Sequence, residues 1–226
     1  MVLTLVPIHS KTKPMIKINE IFYSIQCETT LAGLPTVFVR TTACNLRCTY
    51  CDTKYSYYDG ANQSLEQILG SIAEHDTKYV CITGGEPLLQ KSVHTLMTAL
   101  CDLGYTVSLE TSGSKSIEAV DPRVKIILDV KTPDSGAANS FLIQNLQWAT
   151  PSTEFKFVIS SVQDFDWSEK FCRQHDLFKK HIVLYSPVFN AMKEQDLALL
   201  LLGKKSRARM QLQLHKYIWS PELRGV

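Results

Sequence analysis

The sequence predicts an α/β fold, a partial (open) TIM-like barrel of mostly parallel strands with helices outside it. Short segments rich in Val, Ile, Phe and Tyr alternate along the chain with segments whose apolar residues recur at helical spacing. Strands that alternate with helices are joined by crossovers, which make neighbouring strands parallel and cover the sheet with helices. With 226 residues, 45% of them hydrophobic, the chain is long enough to bury one sizeable core.

Seven segments are predicted to be strands because they are short, apolar and rich in β-branched or aromatic residues. They are Ile16–Ser24, Thr36–Thr41, Tyr79–Thr83, Tyr105–Glu110, Lys125–Val130, Phe155–Ser160 and His181–Ser186. In folds of this class the active site lies at the carboxyl ends of the strands. The residues that follow each strand are therefore the first candidates for function.

Five helices are predicted between these strands. The first follows Ser64, a residue type that caps helices, and it continues with apolar residues at helical spacing. These apolar residues are Leu65, Ile68, Leu69 and Ile72. The other helices are predicted over Gln90–Leu103, Ala138–Trp148, Asp164–His175 and Ala191–Leu202.

Residues 1–14 are predicted to form a loosely held extension in front of a single domain over residues 15–226. The segment lacks the basic start, long apolar centre and small-residue cleavage site of a secretory signal, and Met15 is an alternative start. No apolar run reaches the roughly 18–20 residues of a membrane span. A formal charge of +2 gives no electrostatic reason to expect nucleic acid or a membrane as partner. We expect a cytoplasmic protein.

Three of the seven cysteines, Cys44, Cys48 and Cys51, lie within eight residues directly after a predicted strand. The odd number of cysteines and the missing export signal disfavour a disulfide framework. Structural zinc is the simpler alternative, but it commonly needs four ligands from two separated pairs, and the chain has no second pair. Three thiolates on one short loop instead suit an iron–sulfur cluster with one open iron, which implies chemistry.

The remaining cysteines carry less information. Cys81, Cys101 and Cys172 lie in apolar segments, where cysteine usually behaves as a small buried hydrophobic residue. We predict that these three are structural.

Two motifs resemble those of the radical S-adenosylmethionine (SAM) superfamily. The run from Cys44 to Cys51, with Tyr50 before the last cysteine, is similar to the CxxxCxxC signature of that superfamily. The turn Thr83-Gly-Gly-Glu-Pro87 is similar to its GGEP motif, although such a turn also serves as a plain strand-to-helix connection. The resemblance implies a radical SAM core with one 4Fe-4S cluster. It also implies SAM bound at the open iron and cleaved to methionine and a 5′-deoxyadenosyl radical.

Further segments resemble the 7-carboxy-7-deazaguanine synthase family, and together they extend from about Ile16 to the C-terminus. These segments are Phe22–Glu28, Gly33–Arg40, Cys51–Thr53, Glu110–Gly113 and Gln213–Lys216. The resemblance implies conversion of 6-carboxy-5,6,7,8-tetrahydropterin to 7-carboxy-7-deazaguanine with loss of ammonia, in queuosine biosynthesis. It further implies a carbon–nitrogen lyase that depends on Mg²⁺, acts as a homodimer and receives electrons from a donor such as a flavodoxin.

The same resemblance assigns site residues by position. Cys44, Cys48 and Cys51 would hold the cluster, and the Thr53 hydroxyl would bind Mg²⁺, a cation that prefers oxygen ligands. SAM would be bound by Tyr50, Cys51, Asp52, Gly85, Asp129, Val130 and Lys131. The pterin would be bound by Ile25, Gln26, Cys27, Arg40, Thr83, Glu110, His215 and Val226. His215 is expected in a last β-like segment that folds back toward the substrate.

Two of these assignments also have a chemical rationale. Arg40 ends a strand, where its guanidinium group can hold a substrate carboxylate through two hydrogen bonds. Glu110 offers a carboxylate to the N–H and NH₂ edge of a pterin. The simpler alternatives are a solvated arginine at the barrel rim and an acidic residue at a helix N-terminus.

The first loop departs from the family pattern. Cys27 and Thr29 stand where the family has glycine, and Ala43 replaces the glycine before the first cluster cysteine. A positive φ at Cys27 or Thr29 would cost on the order of 1 kcal/mol or more each, so we expect the first loop to adopt a locally different conformation.

Two other functions remain open at this point. One is another small radical SAM enzyme, such as an activase for a glycyl-radical enzyme. The other is a non-catalytic metal-binding or electron-transfer module.

Overall fold

The structure, a computed structural model, describes residues 14–226, and these contain one nine-stranded sheet. Its strands are β1 (Met15–Ile25), β2 (Pro35–Thr41), β3 (Ala61–Ser64), β4 (Tyr79–Gly84), β5 (Thr106–Thr111), β6 (Lys125–Asp129), β7 (Glu154–Ile159), β8 (Ile182–Pro187) and β9 (Arg209–Met210). The order across the sheet is β3-β1-β2-β4-β5-β6-β7-β8-β9. From β2 to β9 neighbouring strands are parallel, whereas β1 is antiparallel to β2 and β3. All seven predicted strands are confirmed to within one residue at each end.

Helices connect the parallel strands. They are α1 (Leu65–Ala73), α2 (Ser92–Asp102), α3 (Asn145–Trp148), α4 (Val162–Gln174), α5 (Leu177–Lys180), α6 (Glu194–Gly203) and α7 (His215–Ile218). Helix α1 begins as the sequence predicts, because the Ser64 side chain accepts from Gln67 N while the Gln67 side chain accepts from Ser64 N. No helix of residues 14–226 is long and apolar enough to cross a membrane.

Strand alternation separates the core from the cavity described below. Buried apolar side chains of strands and helices form one continuous cluster, which includes Val80, Leu109 and Phe157. On the same strands, Thr83, Glu110 and Lys156 belong to the opposite set and line the cavity. Successive side chains of a strand point to opposite faces, so a single sheet supplies both the packed layer and the polar interior.

Two sequence-based predictions of local structure are wrong. Ala138–Trp148 is not one helix but two short turns, Ala138–Ser140 and Asn145–Trp148. The buried Asn145 amide donates to Gly113 O and Lys115 O at 2.9 Å each, which fixes this segment to the loop after β5. The predicted β-like segment at His215 is the helical turn α7.

Other elements were outside the sequence-based predictions. The strands β3 and β9 are short, at four and two residues, and they lack the apolar pattern of the other strands. The extension predicted over residues 1–14 lies outside the described residues except for Pro14.

Candidate active site

A cavity of about 550 Å³ opens at the carboxyl ends of β2, β4, β5, β6 and β7. It is lined by all the predicted site residues except Val130, including the three cysteines of the cluster motif. Val130 is fully buried in the core, and its N–H donates to Lys156 O at 2.9 Å. Its side chain follows the strand on the face opposite to the cavity and belongs to the hydrophobic core.

The cysteine loop is held from both sides. Ala43 has a φ of +80°, and its N–H donates to Ser56 O at 3.0 Å. Farther along, the Thr49 N–H donates to Ser135 O at 3.0 Å, and its hydroxyl donates to Asp134 O at 2.8 Å. These bonds flank Cys44 and Cys48 and fix this part of the loop at the cavity.

The thiols fit the predicted cluster by their chemistry. Cys44, Cys48 and Cys51 are free, and all three line the cavity. Within residues 14–226, no three His, Cys, Asp or Glu side chains converge where one metal ion could be held. Soft thiolates that face one cavity from a single loop match the donor set of an iron–sulfur cluster. Cys81 and Cys172 are buried, Cys101 is half-buried, and none of the three lines the cavity.

The glycine turn after β4 allows close backbone packing beside the cysteine loop. Gly84 has a φ of +147°, and a Cβ there would lie 2.4 Å from Thr41 O. A Cβ on Gly85 would lie 2.2 Å from Ala43 O. Both positions thus require glycine for steric reasons, and Gly85 leaves bare backbone at the cavity wall.

Glu86 fixes this turn and does not face the cavity. It is fully buried and accepts from Leu88 N at 3.1 Å, Thr111 Oγ1 at 2.7 Å and Ser112 N at 2.9 Å. Ser112 Oγ donates to it as well. The glutamate of the motif therefore joins the ends of β4 and β5.

The loop after β1 forms one end of the cavity. Gln26 is buried, its Oε1 accepts from Glu28 N at 3.1 Å, and its Nε2 has no partner among the described residues. Burial raises the pKa of the Cys27 thiol to about 11, so this thiol is protonated near neutral pH. Thr29 has a φ of +67°, whereas Cys27 is not among the residues with positive φ. The expectation that this loop avoids the left-handed conformation is thus wrong for Thr29 and correct for Cys27.

Arg40 lies at the cavity wall with an internal partner. Its Nε donates to Glu20 Oε1 at 2.7 Å, and the Tyr55 hydroxyl donates to the same oxygen at 2.9 Å. The guanidinium carbon lies 5.6 Å from the centre of the Phe22 ring. Glu20 therefore fixes the side chain through Nε, so Arg40 is not a freely solvated rim residue.

Glu110 lies next to Thr83, whose hydroxyl donates to Glu110 Oε2 at 3.2 Å. Burial, reinforced by the nearby Glu28 carboxylate, raises the pKa of Glu110. Its carboxyl group lines the cavity, where it can bond a polar edge of a ligand.

Two of the assigned SAM residues form an ion pair at the cavity wall. The Lys131 ammonium lies 3.0 Å from Asp129 Oδ1. Burial would raise the pKa of Asp129, but Lys131 and Lys156 outweigh it and lower that pKa. The Tyr50 hydroxyl lies 3.3 Å from Thr132 Oγ1, and burial raises the pKa of Tyr50 to about 12. The wall at this side is therefore ionic and fixed in place.

The cysteine loop is joined to the C-terminal part of the chain. Asp52 Oδ2 lies 3.0 Å from Lys216 Nζ, and this cation lowers the pKa of Asp52 against the effect of burial. Burial lowers the pKa of the neighbouring His215. The Thr53 hydroxyl lies 3.7 Å from Cys51 Sγ and faces the same cavity.

The last residues of the chain cover the cavity. Residues 221–226 all line it, with the Arg224 guanidinium carbon 4.1 Å from the centre of the Tyr55 ring. Val226 thus lies at the cavity wall, as the sequence resemblance implies.

Several polar residues of the cavity were missed by the sequence analysis. Lys156, Glu28, Gln213 and Lys216 line it and bond to one another or to predicted residues. One signal was available, since Lys156 interrupts the otherwise apolar run Phe155–Ile159. A lysine inside a buried strand requires a charged partner.

The sequence is similar to several known proteins. A model of the Radical SAM superfamily matches residues 38–132. The 7-carboxy-7-deazaguanine synthase of Chlorobaculum tepidum is 40% identical over 218 residues, covering 95% of this chain and 99% of that protein. The 7-carboxy-7-deazaguanine synthase of Koribacter versatilis is 41% identical over 225 residues, covering 93% and 100%.

A solved structure supports the architecture. The crystal structure of QueE from Escherichia coli has a TM-score of 0.73 and 22% identity, and the match covers 88% of this chain and 93% of that one. At this identity the likeness concerns the fold, and it confirms the open barrel with outer helices. On the evidence of the relatives that match it over nearly its whole length, this chain belongs to the 7-carboxy-7-deazaguanine synthase family of radical SAM enzymes.

Proposed function

We propose that this protein converts 6-carboxy-5,6,7,8-tetrahydropterin to 7-carboxy-7-deazaguanine with release of ammonia, as a radical SAM carbon–nitrogen lyase of queuosine biosynthesis. One observation carries the proposal. The three free thiols of the cysteine loop and a set of buried ionic side chains line the same cavity. A non-catalytic metal-binding module has no need for buried ionic side chains next to its cysteines.

The cysteine side of the cavity would bind the cofactors. Cys44, Cys48 and Cys51 would hold a 4Fe-4S cluster, and the bare backbone at Gly85 leaves room for SAM. When bound, these groups supply a 5′-deoxyadenosyl radical that takes hydrogen from the substrate. The Lys131–Asp129 pair presents opposite charges to a cofactor that itself carries both amino and carboxylate groups.

The other side of the cavity would bind the pterin. Arg40, already oriented by Glu20, would hold the substrate carboxylate through its terminal amino groups. Glu110 and the unpaired Nε2 group of Gln26 would bond the polar edges of the ring. The covering residues 221–226 would exclude water from the reacting atoms.

Several finer assignments are part of the proposal. The Thr53 hydroxyl would contribute an oxygen ligand to Mg²⁺, which would orient the substrate as a template. Membership of the family is the support for a homodimer in the cytoplasm and for an electron donor such as a flavodoxin. One sheet and one hydrophobic cluster support a single radical SAM domain over residues 15–226.

The test is an anaerobic assay of the reconstituted protein with the tetrahydropterin, SAM, Mg²⁺ and a reductant, with products identified by mass. We expect 7-carboxy-7-deazaguanine, with SAM regenerated. Cleavage of SAM without any deazapurine would favour an activase, and absence of SAM cleavage by the reduced, cluster-loaded protein would favour a module. Either result would overturn the proposal.

A further inference from the structure

Lys156 lies in the middle of a buried strand and points into the cavity. All six residues of β7 are buried, and in the sheet Lys156 pairs with Asp129 of β6 and Leu184 of β8. The lysine side chain is 8% exposed. Because lysine is almost never buried without a partner, this position calls for a specific explanation.

The Lys156 ammonium connects two walls of the cavity. It forms an ion pair with Glu28 Oε2 in the first loop, and it lies 3.5 Å from Asp129 Oδ2 at the end of β6. Asp129 also has Lys131 as a partner at 3.0 Å. Glu28, by contrast, pairs with no cation other than Lys156 among the ion pairs of residues 14–226.

A second contact helps to fix the orientation of the Glu28 side chain. Its Oε1 accepts from Gln213 Nε2 at 3.2 Å, while Oε2 faces Lys156. Each carboxylate oxygen therefore has its own donor, so the group is held in one orientation at the cavity wall. Carboxylate oxygens have about four lone-pair sites, which leaves capacity for a ligand.

The electrostatics agree with this geometry. Burial would raise the pKa of Glu28, but Lys156 and the nearby His215 outweigh it and lower that pKa. Burial and Glu28 itself raise the pKa of Glu110, against the lowering effect of Lys156. The pKa values of these two carboxyl groups are thus shifted in opposite directions.

We propose that Lys156 is a positioning residue for substrate, holding the Glu28 carboxylate as an acceptor for the amino-pyrimidinone edge of the ring. The inference rests on the proposed function and deepens it. Lys156 acts through Glu28, and its contact with Asp129 is secondary because Lys131 already neutralises that carboxylate.

The experiment compares three variants in the cluster-loaded enzyme: Lys156→Met, Lys156→Arg and the control Lys125→Met. Lys125 also lies on a central strand and pairs with a buried acid, Glu154, at 2.8 Å, but it does not line the cavity. Losing an ionic hydrogen bond should raise the pterin KM of Lys156→Met by roughly 10- to 100-fold. The dissociation constant of SAM should change less than about threefold, and Lys156→Arg should recover part of the loss. Lys125→Met leaves a buried carboxylate outside the cavity without its cation, so it should lower stability while the pterin KM stays within about threefold of wild type.

A pH profile separates positioning from general damage. Without Lys156, burial raises the pKa of Glu28, so the pterin KM of Lys156→Met should increase as the pH falls through that raised pKa. The wild-type KM should not show this increase in the same range. An unchanged pterin KM, or an equal loss of SAM affinity, would overturn the inference.

A double-mutant cycle keeps the inference testable if Lys156→Met folds poorly. Glu28→Gln removes the charge of the acceptor, and Gln213→Leu removes its other donor, so both should raise the pterin KM. The double variant Lys156→Arg with Glu28→Gln should raise the pterin KM no more than Glu28→Gln alone does. Additive increases in the pterin KM would contradict the inference that Lys156 acts through Glu28. A wild type that makes no deazapurine would refute the proposed function itself. Normal turnover by Lys156→Met would refute the inference alone.

Discussion

Replacing Glu86 by alanine should destabilise the whole protein, because this buried carboxylate satisfies donors on two strand ends. It accepts from Leu88 N, Ser112 N, Ser112 Oγ and Thr111 Oγ1. The two hydroxyl groups can rotate toward other acceptors, whereas the two backbone N–H groups cannot. Leaving a buried donor unsatisfied costs about 1–3 kcal/mol, so the two backbone groups predict a loss of roughly 2–6 kcal/mol.

The assay is urea denaturation of the reduced, cluster-free protein, monitored by circular dichroism. Glu118→Ala is the control, because Glu118 is an exposed glutamate and its replacement should change the free energy of unfolding by less than about 0.5 kcal/mol. The slope of the denaturation curve should stay constant if the native state is unchanged. A Glu86→Ala protein within about 1 kcal/mol of wild type would refute the reasoning, since it would mean that water or a shifted loop satisfies both donors.

Three further predictions concern the loops and the cavity. Ala43→Gly should relieve about 1–2 kcal/mol of left-handed backbone strain, part of which is offset by the greater entropy of glycine in the unfolded chain, so the melting temperature should rise. The control Ala137→Gly, at a φ of −129°, should lower the melting temperature. Equal shifts of both variants in one direction would exclude strain at Ala43. Thr53→Ala should weaken the dependence of turnover on Mg²⁺ while SAM still binds, and an unchanged Mg²⁺ titration would show that Thr53 is not a ligand. Because burial raises the pKa of Glu110 in the folded state, wild-type stability should be lost as the pH rises through that pKa. Glu110→Gln should escape this loss, so that parallel stability–pH curves for the two proteins would contradict it.

The sequence predicts the fold well where local pattern and packing agree. The seven strands are apolar segments rich in β-branched or aromatic residues, and the cap at Ser64 is a local signal. The break between Ser140 and Asn145 depends instead on where one amide side chain finds its partners in another loop. Such a long-range contact leaves no periodic trace in the sequence.

The same distinction holds for the site. Cys44, Cys48 and Cys51 are recognisable because their spacing is itself the signal, and the cavity contains all three. The partners of Glu28 are 128 and 185 residues away along the chain, and only the folded sheet brings them together. The backbone conformation of Thr29 was also misjudged, since its strain is tolerated by a fold that fixes the loop from several sides. Gln211 Nε2, for example, donates to Thr29 O at 2.8 Å.

The docking of residues 211–214 onto the first loop has a consequence for biosynthesis. Leu214 N donates to Cys27 O at 3.3 Å, beside the bond from Gln211 to Thr29. Chains emerge from the ribosome with their N-terminal end first, and closing so long a loop is entropically slow. The first loop must therefore wait for nearly the entire polypeptide to be translated before its final neighbours arrive, which makes completion of this pocket a late event in the maturation of the enzyme.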